Sequence, residues 1–266
     1  MKFCVGYSET HSVFLKDFFL KTFPFEEDVT LIVEKLPQKC ASGALFSKGW
    51  REQMIEKQKF INKCLSFFRD GEMVVFSDVD VRFYQKSIRN DLSYFLGAND
   101  ICFMKDHNSD ETGRCGGFFV LRTSEKTRSF FGEVLHKLLS HKDTPVSFET
   151  SEQAAINNLL QRRPDISWGY LPEKYYTHGL YTQGIKNFSE KNQSGLWWEN
   201  KDHEEKTNIY VPSDILVHHA NWCHGVENKI NLLNWVNEKL TFRKKRELKE
   251  KVKGVKSSRR KKAGGG

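Results

Sequence analysis

Met73-Val74-Val75-Phe76-Ser77-Asp78-Val79-Asp80-Val81-Arg82-Phe83-Tyr84 is the stretch on which the fold turns. Its first four residues are apolar without interruption and read as a buried strand, the kind found in parallel sheets. At the strand period of two, Asp78 and Asp80 project to one side while Val79 and Val81 project to the other. Two carboxylates therefore converge at the end of an apolar strand, where like charges are costly unless a cation shares them. A hard divalent ion such as Mn²⁺ or Mg²⁺ removes that cost, bound by one or two carboxylates and completed by substrate phosphate oxygens. Strand ends are also where α/β folds place their ligands. The competing reading is a strand that surfaces at Ser77 and ends in a solvated acidic turn.

Outward from this strand, β-rich runs alternate with amphipathic stretches, the pattern of an α/β domain with a mostly parallel sheet. Lys2–Tyr7 and Val29–Val33 read as earlier strands. Between them lies a helix over 8–22, on which Val13, Phe14, Phe18 and Leu20 fit the helical period only loosely. Residues 37–49 read as a loop. Trp50 to Phe68 is a helix with Met54, Ile61, Cys64, Leu65 and Phe68 near a 3.6-residue repeat. Beyond Tyr84 the pattern gives a helix over 88–95, strands over 101–104 and 117–121, and a helix over 125–139. Thr150 and Gln153 have capping-box spacing and predict a helix start with Thr150 as N-cap. Residues 166–171 and 215–219 read as late strands, and Val226, Ile230, Leu233, Val236 and Leu240 line a last helix.

The chain has 266 residues, 38% of them hydrophobic, enough for one large domain and too many for wholesale disorder. No stretch reaches the ~18 consecutive apolar residues of a membrane span, and no secretory leader is read at the start. The net charge of +8 is uneven. Residues 241–266 carry 12 Lys/Arg against two Glu, which is +10, and residues 1–240 are left at −2. Division at 240 gives a nearly neutral catalytic-size body and a basic, flexible tail suited at most to weak contact with an anionic surface. Six cysteines without C-x-x-C spacing predict reduced, buried thiols and a cytoplasmic setting.

Several motifs occur together and in order. They are Lys57 on the long helix, Phe76–Phe83, Gly116-Gly117-Phe118-Phe119-Val120-Leu121-Arg122, Glu152-Gln153 with Asn157, and His218-His219-Ala220-Asn221-Trp222 with Gly225 and Lys229. With them the chain resembles the nucleotide-diphospho-sugar transferases of GT-A fold, the group that includes retaining plant xylosyltransferases and bacterial and viral relatives. The resemblance covers most of residues 1–240. It implies a single Rossmann-like domain, a mostly parallel central sheet flanked by helices, and a metal-dependent glycosyltransferase. Such an enzyme moves a monosaccharide from a nucleotide sugar, a UDP-sugar foremost, to a hydroxyl of a glycan or glycosylated acceptor, with retention.

The resemblance also distributes roles. Asp78 and Asp80 match the D-x-D aspartates that hold the metal bridging the donor diphosphate. His219 matches the histidine that adds a ligand, with His218 and His224 as alternatives. Glu152 and Gln153 match a pair near the anomeric carbon, with Glu where relatives have Asp. Cys115 stands where relatives carry Asn. Asp106 is a second candidate for sugar hydroxyls. Tyr7 and Ser8 lie where the base and ribose are received. Lys57 is either a phosphate contact or a lysine whose stem covers the core edge while its ammonium reaches water. The turn from Gly225 to Lys229 offers backbone N–H groups and an ammonium to a diphosphate. Trp168, Tyr175, Tyr176, His178, Trp197 and Trp198 fall on the acceptor side, as stacking faces or as packing.

Three other readings compete. A haloacid-dehalogenase-like phosphatase would use Asp78 as nucleophile and Asp80 as acid/base, but it needs a late Gly-Asp-x-x-x-Asp pair that is absent. A zinc site from His218, His219, Cys223 and His224 matches no common structural spacing. A non-enzymatic polyanion binder would act through residues 241–262 alone, without a nucleic-acid signature or a specific nucleic acid partner.

Overall fold

The computed structural model describes residues 1–106, 113–177, 211–221, 223 and 225–263, with the backbone of 196–197 and 206–207, and side chains as far as Arg246. β1 (Lys2–Tyr7) leads into a helical stretch built of four segments: a 3₁₀ turn (Glu9–His11), α1 (Ser12–Phe14), a π turn (Leu15–Phe19) and α2 (Leu20–Thr22). There follow β2 (Thr30–Lys35), α3 (Trp50–Phe67), β3 (Met73–Ser77), β4 (Val81–Phe83), α4 (Arg89–Leu96), β5 (Ile101–Lys105) and β6 (Arg114–Arg122). The chain continues through α5 (Glu125–Ser140), α6 (Glu152–Leu160), β7 (Trp168–Tyr170), β8 (Tyr175–Thr177), β9 (Leu196–Trp197), β10 (Lys206–Thr207), β11 (Val217–His219) and α7 (Val226–Ala263).

The central sheet has the order β2-β1-β3-β6-β5-β7. Every neighbouring pair is parallel except the two made by β6, which runs against β3 and β5. Helices cover both faces, so successive strand residues enter different cores. Val74 and Phe76 of β3 pack with Phe60, Ile61 and Leu65 of α3, whereas Val75 packs in the other core with Phe14, Phe19 and Leu233. Burial on both faces is the physical reason for the unbroken apolar run at 73–76. Phe3 and Phe83 each meet Phe19 and Phe23, and one another, edge-on in the second core, while Phe19 and Phe23 stack at 5.5 Å; all these ring centroids lie 5.0–5.9 Å apart.

A second sheet of order β4-β11-β8 sits at the C-terminal edge of β3. β4 was not read from the sequence: Val81–Phe83 is too short to stand out from the acidic motif before it. The π turn explains the loose fit of Val13, Phe14, Phe18 and Leu20, because one added residue per turn shifts the apolar face midway along the helix. α6 also differs from its expected start. Ser151, not Thr150, is the N-cap and accepts from Ala154 N–H, while Thr150 Oγ1 accepts from Arg51 Nη2 at 2.9 Å. The segment read as a basic tail has helical backbone as far as Ala263. No helix among the described residues is long and apolar enough to cross a membrane.

Arg51 is 2% exposed. Its guanidinium donates to the carbonyls of His141 (2.5 Å), Thr144 (2.6 Å) and Pro145 (2.8 Å), tying the loop before α6 to α3. Arg51→Ala leaves those carbonyls without their donor. The expected loss is about 2–4 kcal/mol, read as a lower urea midpoint at unchanged slope. An unchanged midpoint would contradict the clamp.

Candidate active site

Two backbone ties assemble the site. β3 ends at Ser77, and Asp78 N–H then donates to Gly117 O of β6 at 2.6 Å. Asp80 O accepts from Ala220 N–H at 3.0 Å, beside the β4–β11 register that sets His219 opposite Val81. The two aspartates thus lie in the bend between β3 and β4 rather than on the strand itself. They still converge, with Val79 buried between them. His219 Nε2 lies 3.4 Å from Asp80 Oδ1 and 3.6 Å from Asp78 Oδ2. One ligand atom from each of these three residues lies within 4.8 Å of the others.

Two lysines share the negative charge. Lys57 Nζ stands 2.7 Å from Asp78 Oδ1, 3.0 Å from Glu152 Oε2 and 2.9 Å from Gly116 O. Its side chain is only 13% exposed, so the ammonium is an interior counter-ion and does not reach out to water. Lys229 Nζ stands 2.6 Å from Asp80 Oδ2. Burial alone would raise the Asp80 carboxyl, but Lys229 and then His219 outweigh it and hold Asp80 well below the usual carboxylate range. Burial likewise opposes charge on Lys57 and His219. Asp78 and Glu152 overcome it at Lys57, and Asp80 followed by Cys115 overcomes it at His219, so both groups move upward. Glu152 is the exception: burial raises it despite the pull of Lys57. His11, nearby, is pushed down to about 4 by burial and then by Lys229.

One cavity brings the expected residues together: Tyr7, Ser8, Lys57, Asp78, Asp80, Asp106, Glu152, Gln153, His219 and Lys229 all line it. Asp106 is fully buried and accepts from Gln153 Nε2 at 2.6 Å and from Asn221 Nδ2. Glu152 accepts from Gln58 Nε2 as well as Lys57. Gly225 is not on the cavity wall; it precedes α7 with φ +82°, a conformation glycine adopts freely. His218 is buried against the Tyr176 ring, 5.2 Å between centroids, on the other side of β11 from His219. His224 and Trp222 lie outside the described residues, as do His178 and Trp198. Tyr175 and Tyr176 are fully buried, so packing replaces the acceptor-side reading for both. Trp168, on β7, lies under the Arg114 guanidinium, 3.8 Å from its centre. Gln58, which steadies Glu152, was missed, and no sequence signal marks it.

A divalent ion fits these residues. The donor set is two carboxylates and an imidazole, a combination compatible with such metals. Room is left by Gly117, where an added Cβ would lie 2.2 Å from His219 Cε1 and 2.6 Å from Asp78 Oδ2.

A mostly parallel sheet flanked by helices, with this cavity at the ends of β1 and β3, is a GT-A glycosyltransferase fold. The sequence profile of the nucleotide-diphospho-sugar transferases matches residues 41–233, well over half of the chain, and the chain belongs to that family. It is therefore a glycosyltransferase that uses a nucleotide sugar. Among solved structures it is similar in fold to the glycosyltransferase GlyE of Streptococcus pneumoniae TIGR4, at 10% identity and TM-score 0.52 over 82% of this chain and 54% of that one. The chain thus spans about half of GlyE. The apo form of GlyE matches at 10% identity and TM-score 0.50 over 90% of this chain and 63% of that one. A glycosyltransferase involved in the glycosylation of the major capsid of PBCV-1 matches at 12% identity and TM-score 0.48, over 66% of this chain and 82% of that one. No curated protein matches the chain.

Proposed function

We propose that the chain is a metal-dependent glycosyltransferase that moves a monosaccharide from a UDP-sugar to a hydroxyl of a glycan, with retention of anomeric configuration. The observation that carries this reading is the convergence of Asp78, Asp80 and His219 at the cavity wall. These three residues would hold Mn²⁺ or Mg²⁺. When bound, the ion supplies Lewis-acid stabilisation of the departing diphosphate. Lys57 and Lys229, each resting on a site carboxylate, would offer their ammoniums to phosphate oxygens and neutralise charge as it develops there. Tyr7 and Ser8 receive the base and ribose. Asp106, gripped by Gln153 and Asn221, accepts from sugar hydroxyls. Glu152 is committed to Lys57 and Gln58. That favours a positioning role at the anomeric side over a general base that takes the proton of the acceptor hydroxyl in an inverting reaction.

The domain division belongs to the same proposal: residues 1–240 carry the transfer, and 241–266 make weak anionic contacts in a cytoplasmic enzyme. The test is a panel of nucleotide sugars with Mn²⁺, followed by release of nucleoside diphosphate and by the anomeric configuration of the product. UDP-sugars should be turned over, with the product retaining configuration. No turnover and no thermal shift with any donor would overturn the reading.

A further inference from the structure

The two ring nitrogens of His219 face different neighbours. Nε2 faces the carboxylates of Asp78 and Asp80. Nδ1 lies 3.5 Å from Cys115 Sγ, and that sulfur also accepts from Gly117 N–H at 3.3 Å. Cys115 is 2% and His219 3% exposed, so both groups sit inside the wall. The sulfur is fixed by the backbone of β6, and β6 also receives Asp78 N–H through Gly117 O. One strand therefore ties down both a carboxylate and the far side of the imidazole.

We propose that Cys115 is the positioning residue for His219: its sulfur accepts the Nδ1–H and keeps Nε2 turned toward Asp78 and Asp80. A ring nitrogen that ligates a metal needs its other N–H held, because that contact sets both tautomer and ring orientation. A methyl group at 115 would leave the buried Nδ1–H without its acceptor and the ring free to rotate away from the carboxylates. The inference rests on the metal reading above, and the experiment separates the two.

Mn²⁺ uptake by the full chain at saturating uridine diphosphate, followed by electron paramagnetic resonance, is compared in wild type, Cys115→Ala, His219→Ala and the double variant. Cys115→Ala is expected to weaken Mn²⁺ binding about 10–100-fold. In the His219→Ala background the same change is expected to do nothing further, since Cys115 acts through that ring. Cys115→Ser, with an acceptor on a shorter bond, is expected to fall between wild type and Cys115→Ala. It serves as the probe if the alanine variant fails to fold. In the Mg²⁺-loaded form, ¹⁵N spectra of wild type should show His219 protonated at Nδ1, and Cys115→Ser should perturb that signal. Wild-type affinity in both Cys115 variants, or a loss that adds to that of His219→Ala, overturns the positioning role alone. A wild type that takes up no Mn²⁺ overturns the metal reading together with it.

Discussion

Asp80→Asn is expected to lower donor turnover about 1,000-fold, the several kcal/mol that a Lewis acid at a leaving group supplies. Asparagine preserves the size of the side chain and one acceptor oxygen but removes the charge. That charge lies at 3% exposure between Lys229 at 2.6 Å and His219 at 3.4 Å. The measurement is release of nucleoside diphosphate with Mn²⁺, beside a urea titration that shows how much of the variant is folded. Residual turnover above a tenth of wild type, in folded protein, would remove Asp80 from the site. The pH dependence of stability gives a second reading of the same change. Because Lys229 and His219 depress the Asp80 carboxyl despite its burial, its contribution to stability is present above the unfolded carboxylate range. That contribution disappears as pH falls through the lower, folded value. The stability gap between variant and wild type should therefore narrow in acid.

Gly117→Ala is the second change with a large expected effect. The added methyl would lie 2.2 Å from His219 Cε1, closer than any real contact, and 2.6 Å from Asp78 Oδ2. Asp78 is a third exposed and can swing aside. The His219 ring is enclosed and held through Cys115, so it must be pushed off its carboxylates. Turnover is expected to fall about 100-fold or more, with Mn²⁺ binding lost in parallel, while overpacking costs about 1–3 kcal/mol of stability. Gly116→Ala is the control. Its methyl would meet Glu152 and Ile156 at 3.3–3.4 Å, about an ångström farther than the 2.2 Å approach to His219, so its effect on turnover should be the smaller. Equal activity of the 116 and 117 variants would contradict the crowding described at His219.

The apolar run at 73–76 and the period of α3 were legible because burial on both sheet faces, or on one helix face, imposes a pattern on the sequence itself. The reversal of β6 was not, since a strand has the same period in either direction. The N-cap moved from Thr150 to Ser151 because two hydroxyls stand side by side, and a guanidinium 99 residues away claims the first. Lys57 was legible as a residue on an apolar face, but not as a counter-ion. Its partners Asp78 and Glu152 come from other parts of the chain, and only the fold brings them there. Cys115 was visible as a departure from a family pattern, without any sign that its sulfur would touch His219.

The cross-links within the site span long stretches of chain: Lys57 to Glu152 is 95 residues, Cys115 to His219 is 104, and Asp80 to Lys229 is 149. Contacts of such separation carry the largest loop-closure entropy and form after local helices and adjacent strands. During synthesis, Asp80 therefore emerges long before both His219 and Lys229, the two cations that face it. Turnover is therefore expected to appear only once α7 has joined the site, later than the first compact state.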